Sequence, residues 1–368
     1  MSSGTIMIVG GLNRAGTGAR GTGLGLYAFD EATGAATLLS ETKGIDNPSY
    51  LSLSADGRFA CAVSEVPGWA EGTVTAYAVD AAAPRLRPLN LQSTLGSVTA
   101  HCSIDATGRF LLVANYSEGP MDEGSNQAIA VLPIGADGRL GPAVSSVLHD
   151  GTGPNPDRQE RPHPHCVLVS PDNRFAIVAD LGLDALFAYP FSADGRLDAA
   201  GVVRCDLPAG SGPRHFAFHG NGRQAFLVGE LDSTVASLRY DPARGRFEVI
   251  EIVSTVPDGV TGNFPSGIQV HPDGRFVYVA NRGRDDIAIF AVDAEAGRLS
   301  PLGHVPCGGQ WPRDMTIDPS GRFLLVSNQN SDRIAVFAID TATGGLAPTG
   351  QDIAAGTPMC VKFARIPG

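Results

Sequence analysis

The amino-acid sequence predicts an all-β propeller, seven blades closed in a ring by pairing of the N- and C-terminal strands. Three observations carry this. A motif recurs at a period of about 50 residues, each period holds about four short strands, and the two chain ends supply complementary parts of one further repeat.

The motif is an apolar run, a tight turn, a second apolar run and then polar residues. It occurs six times, at SYLSLSADGRFACAVSE from Ser49, HCSIDATGRFLLVANY from His101, HCVLVSPDNRFAIVADL from His165, HFAFHGNGRQAFLVGEL from His215, GIQVHPDGRFVYVANRG from Gly267 and DMTIDPSGRFLLVSNQN from Asp314. Its turn arginines are Arg58, Arg109, Arg174, Arg223, Arg275 and Arg322, spaced by 51, 65, 49, 52 and 47 residues. Each copy reads as two strands joined at a Gly or Asn that supplies a positive φ. A third, alternating strand follows, as in STVASLRYD near Ser233 and DDIAIFAVD near Asp286, and then a weaker fourth, as in GRLSPLGHV near Gly297.

The ends complete the count. TIMIVGG and GLGLYAFDEATGAATLLS match the second, third and fourth strands of a repeat, and PMCVKFARI matches a first strand. A blade shared between the termini leaves no free sheet edge. Pairing of Thr5 to Gly10 with Met359 to Phe363 is therefore expected, within a single domain over residues 1–368 with no linker. The one long interval, between Arg109 and Arg174, carries its excess in SEGPMDEGSNQ and HDGTGPNPDRQERPHPH, which read as surface loops or as a lid over the channel.

Composition narrows the function. The 46 glycines and 26 prolines fit many tight turns, and an apolar content of 43% supports a substantial core. A net charge of −11 argues against nucleic acid or an anionic membrane as partner. The apolar run Ile6 to Val9 is too short for a secretory core, and no stretch approaches a membrane span. Cys61, Cys102, Cys166, Cys205, Cys307 and Cys360 form no CxxC and mostly lie in apolar runs, so they read as buried free thiols in a reducing compartment, the cytoplasm. A monomer or weak homodimer is expected.

Blade topology locates the chemistry. The first strand of a blade is innermost and the second is antiparallel to it, so first-strand starts and second-strand ends ring one channel mouth. First-strand starts offer His101, His163, His165, Arg214, His215 and Arg313; second-strand ends offer Glu65, Tyr116, Asp180, Glu230, Arg282 and Gln329. Residues serving only the repeat should look alike, and these differ from blade to blade. Histidine, arginine and carboxylate converging at one mouth suit an acid–base site for an anion. The bland readings compete: a histidine opening an inner strand often bridges blades, the turn arginines are solvated repeat residues, and His149, His219, His271 and His304 read as surface or packing residues. His163 and His165 stand two apart on an extended segment, and nothing beside them calls for a metal. No dinucleotide fingerprint, phosphate-binding loop or nucleophile elbow occurs, and no cofactor is expected.

At these residues the chain resembles the bacterial lactonase propeller family, the group that contains the propeller-type 6-phosphogluconolactonase and the fungal carboxymuconate cyclising enzyme. The segments carrying the resemblance include NPSYLSLSADGRF, GTGPNPDRQERPHPHCVLVSPDNRF, GSGPRHFAFHGNG, GELDSTV, VYVANRGRDDIAIF and GGQWPRDMTIDPSGRFLLVSNQNSD, and they span nearly the whole chain. The resemblance implies an active-site set of His165, Arg214, Glu230 and Arg282, and the ring of mouth positions adds His101, His163, Tyr116, Asp180, His215, Arg313 and Glu65 as substrate-binding candidates. The resemblance also implies hydrolysis of a small anionic sugar lactone resembling 6-phosphogluconolactone, with no cofactor. His165 suits the general base, Arg214 and Arg282 the anion and oxyanion, and Glu230 the orienting role, with base and orienter exchangeable. Two alternatives stay open: a cycloisomerase that forms a lactone from a carboxymuconate-like acid, and a non-catalytic propeller that binds a protein.

Overall fold

The structure, a computed structural model, describes residues 4–16, 18–80, 83–117 and 126–366. It consists of seven four-stranded antiparallel sheets. The first blade is the shared one, in the order β28 (Pro358–Ile366), β1 (Gly4–Gly11), β2 (Leu24–Phe29), β3 (Ala36–Thr42). Met7 pairs with Phe363 and Gly10 with Cys360, so the chain ends close the ring as the repeat predicts.

The innermost strands of the other blades are β4 (Leu51–Leu53), β8 (Thr99–Ile104), β12 (Pro164–Val169), β16 (Pro213–Phe218), β20 (Phe264–Val270) and β24 (Pro312–Ile317). Each touches the next around the axis, and β28 touches both β24 and β4, so the circuit is complete.

The turn chemistry follows the sequence. Gly57, Gly108, Gly222, Gly274 and Gly321 have φ of 66° to 80°, and Asn173 takes the same place at 60°. Asp105 Oδ1 accepts from the backbone N–H of Arg109 and Phe110, and Asp318 Oδ1 does the same for Arg322 and Phe323, which closes those turns. The turn arginines do more than meet solvent. Arg58, Arg109, Arg174, Arg275 and Arg322 each lie 5.0 to 5.9 Å over the following Phe ring, a cation–π contact that covers an apolar side chain between blades. Where Gln224 replaces that Phe, its amide donates instead to Ala294 O of the next blade.

The alternation expected of the third strands is weak. β18 (Thr234–Asp241) and β22 (Asp286–Asp293) are buried on both faces through most of their length, because each blade is sandwiched between two others. The core is accordingly a set of inter-blade layers, such as Phe110, Leu112 and Ile129 against Val167, Val178 and Phe187. His149 proves to be a packing residue, its ring 4.1 Å from Phe187, while His219 and His271 bridge blades through Gly274 O and Gly321 O.

Candidate active site at the channel mouth

One hydrogen bond recurs at the rim. The residue that follows the second strand donates its N–H to the carbonyl near the start of the first: Glu65 to Asn47, Tyr116 to Val98, Leu181 to His163, Glu230 to Gly212 and Gln329 to Trp311, at 2.9 to 3.1 Å. This holds Glu65, Tyr116 and Glu230 at one height, and Arg282 joins them by pairing with Phe264.

The same register corrects the expected place of Asp180. It pairs with Pro164, one residue earlier than the rim position, which belongs to Leu181. A one-residue offset in a strand turns the side chain to the other face. Asp180 therefore points away from the mouth, where Oδ1 accepts from His163 N–H and Gly182 N–H and Oδ2 meets His149 Nδ1 at 2.5 Å.

Inner-strand bulges aim the remaining groups. Pairing skips His165 in β12, Arg214 and His215 in β16, and Arg313 in β24, each just after a proline that opens the strand. A bulge redirects its extra residue, and a proline at a strand's first residue sacrifices no ladder donor. Thus the His-Pro-His, Gly-Pro-Arg and Trp-Pro-Arg triplets all present their third residue at the axis.

The pocket at the mouth holds about 400 Å³ and is lined by Glu65, Tyr116, Arg158, His165, Glu230, Arg282, Trp311 and Arg313, among others. Its centre is Glu230. Oε2 lies 2.8 Å from Arg282 Nη2 and 2.9 Å from Arg214 Nε, and Oε1 accepts from Arg158 Nη2 at 2.6 Å. Arg158 Nη2 also donates to the Tyr116 hydroxyl at 3.3 Å, and Arg282 Nε donates to Phe264 O at 3.0 Å. Arg313 stands 3.5 Å from Glu65.

Burial sharpens the electrostatics. Arg214, Glu230, Arg282 and His165 are only 1 to 5% exposed. Burial alone would push the Glu230 carboxyl up, but Arg282, Arg214 and Arg158 outweigh it and hold it well below the usual range. Burial, with Arg214 beside it, drives His165 well below its ordinary value, so its ring is neutral at pH 7. Burial and the neighbouring Arg313 and Arg282 press Arg214 down to about 9, still cationic at neutral pH. Buried Arg214 Nη1 and His165 Nδ1 have no hydrogen-bond partner within the protein.

His101, His163 and His215 do not line this pocket. His163 stacks on Tyr116 at 4.2 Å and bonds through Nδ1 to its carbonyl oxygen, bracing that ring from behind. His215 and His101 lie deeper, facing a second cavity in the channel.

A family model described as "Lactonase, 7-bladed beta-propeller" matches residues 7–363. The chain belongs to the seven-bladed lactonase family. The 6-phosphogluconolactonase of Bacillus subtilis (strain 168) is 37% identical over 289 residues, which cover 77% of this chain and 78% of that one. The 6-phosphogluconolactonase of Formosa agariphila is 32% identical, covering 79% and 80%. Among solved structures, the periplasmic gluconolactonase of Pseudomonas aeruginosa superposes with a TM-score of 0.88 at 34% identity, over 99% of both chains.

Arg158 and Trp311 are additions to the sequence reading in this lactonase-family chain, as are the lining residues Pro67, Val98 and Phe264. Arg158 comes from the second half of the long interval, whose first half lies largely outside the described residues, and it reaches into the mouth as a lid residue would. Trp311 forms the wall beneath Arg282, with the guanidinium 5.6 Å from its ring. Its φ of 61° turns the chain just ahead of Pro312. The signal available was the Trp-Pro-Arg triplet itself, in register with Gly-Pro-Arg.

Proposed function

We propose that the chain hydrolyses the lactone of a phosphorylated sugar acid, a 6-phosphogluconolactone-like substrate, in the mouth pocket. The observation that carries this is the charge balance around a neutral imidazole. Among the described residues, Arg158, Arg214, Arg282 and Arg313 are ion-paired only with Glu65 and Glu230, an excess of two positive charges at the site. A phosphate monoester carries close to two negative charges at pH 7 and matches it.

The residues divide the work as follows. His165 takes a proton from water, and the hydroxide adds to the lactone carbonyl. The oxyanion that forms is stabilised by the guanidinium groups, which are fixed in advance by Glu230 and therefore need little reorganisation. The tetrahedral carbon then expels the ring oxygen, which receives the proton from the His165 imidazolium. The product is a hydroxy acid, and its ionisation to the carboxylate leaves one proton over per turnover. Glu230 is the weaker choice for base, because its oxygens are already engaged by three guanidiniums.

A dianion also prepares its own base. Arg214 and Arg313 help to depress His165, and a bound phosphate offsets their field and raises the basicity of the ring in the complex. In this reading the chain acts alone or as a weak homodimer in the cytoplasm, where six free cysteines fit a reducing setting, and serves the pentose phosphate pathway. No helix among the described residues is long and apolar enough to cross a membrane.

The experiment is a pH-stat assay across sugar lactones, their 6-phosphates and carboxymuconates. Preferential acid release from phosphorylated lactones is expected. Turnover of muconates alone would replace the hydrolase with a cycloisomerase, and turnover of none would leave the fold without this activity.

A further inference from the structure

His165 and His215 form a wall between two cavities. The mouth pocket lies on the His165 side, and a channel cavity of about 330 Å³ lies on the His215 side, lined by Tyr50, His101, Ser103, Cys166, His215 and Asp314 among others. The two rings stand 5.1 Å apart at 70°, and buried His215 Nε2 has no hydrogen-bond partner within the protein. Deeper still, His101 is 5.4 Å from His215, and Tyr50 is 4.0 Å from His101. Lys362 Nζ donates to the Tyr50 hydroxyl at 3.0 Å and lies 3.4 Å from Asp314 Oδ2. Of these groups the hydrolysis derived above uses only His165.

Resting on that reading, each turnover leaves the proton of the product's carboxylic acid in the mouth, and His165, neutral again once it has protonated the ring oxygen, takes it up. The outward side is the unfavourable exit. It holds Arg158, Arg282 and Arg313, and the substrate's sugar ring fills the opening. Inward, the next titratable ring is His215, beyond which the cavity is lined by both polar and apolar side chains and is large enough for several waters. The charged groups that face His215 are Arg214 and Lys362, with the rings of His165 and His101. Burial first, and then these groups, favour its neutral form, so a proton placed there moves on instead of resting.

We propose that His215 relays the proton of each turnover from His165 inward to water in the channel cavity. One N–H bond forms on His215 as one breaks on His165, and the proton then passes to a channel water and out to buffer. His215 is thus a positioning and relay residue that acts through His165, without touching the lactone.

The test is His215→Phe, assayed by stopped flow with a pH indicator in weak buffer. Steady-state kcat should fall about tenfold or more. A burst of one product per site should precede the slow phase, and imidazole should restore the rate while a bulky buffer should not. An equal loss at every buffer concentration, or no loss, would overturn the relay while leaving lactonase activity itself intact. A wild-type protein inactive on all lactones would instead remove the proposed function. Should His215→Phe fail to fold, the wild-type proton inventory in weak buffer decides. A curve bowed by several moving protons is expected, and a straight line overturns the relay.

Discussion

Arg158 Nη2 and Glu230 Oε1 meet at 2.6 Å across 72 residues of chain, joining the one long inter-blade loop to the acid at the centre of the mouth. Arg158 is also the most exposed of the three guanidiniums on Glu230, with a third of its side chain open to solvent. It is therefore the cation best placed to turn from Glu230 to an arriving anion.

Arg158→Ala should raise KM for a phosphorylated lactone more than for its neutral counterpart and change kcat less. A charge-assisted contact is worth about 1.5–3 kcal/mol, or roughly tenfold to hundredfold in KM. Steady-state kinetics on the paired lactones checks this, and equal effects on both would place the anion elsewhere.

Glu230→Gln should destabilise the fold as well as the chemistry. It leaves Arg214 and Arg282 buried without their counter-charge, and stranding one side of a buried ion pair typically costs about 3–5 kcal/mol. The midpoint of thermal unfolding should drop. Inorganic phosphate should recover more of it in the variant than in the wild type, because the anion supplies the missing charge.

How far the sequence could be read depends on what repeats. The turn glycines and Asn173 announce positive φ in every copy, so blade count and strand order were legible. His165, Arg214, Glu230 and Arg282 were legible as a set because each departs from its repeat at the mouth. Asp180 was misplaced because the true rim residue of its blade, Leu181, is apolar, so the polar residue just before it was read as the rim. The structural slot is filled by Asn115, Asn281 and Asn328, whose amides donate to backbone carbonyls of loops, and Asp180 is its acidic version. Arg158 has no counterpart in other blades, so no periodicity could assign it a height or a direction.

Closure of the ring makes the last strand essential. Removing residues 359–368 deletes Met359, Cys360, Val361 and Ala364, all buried, and opens the inner circuit at both β24 and β4. A fully buried large apolar side chain contributes about 1.5–3 kcal/mol, so losing this strand approaches the whole stability of an ordinary domain. The truncated chain should melt far lower or fail to fold. An unchanged melting temperature would mean the shared blade is dispensable.

The acid side of the pH profile separates free enzyme from complex. His165 must be neutral to accept a proton, and burial with Arg214 holds it well below 6.5 in the free protein. The kcat/KM profile should therefore stay flat as pH falls through 6.5 and decline only below that lowered value. In the complex, the substrate's negative charge offsets Arg214 and Arg313 and stabilises the imidazolium, so the pKa rises. The limb in kcat should then lie at higher pH than the limb in kcat/KM, once the ionisation of the substrate's own phosphate is corrected for. His165→Gln should abolish the limb and lower kcat by about 10²–10⁴-fold, leaving substrate affinity largely intact because no guanidinium is lost. A kcat limb at or below that of kcat/KM would show that the anion binds too far from His165 to tune it. Full activity in His165→Gln would move the base to another group altogether.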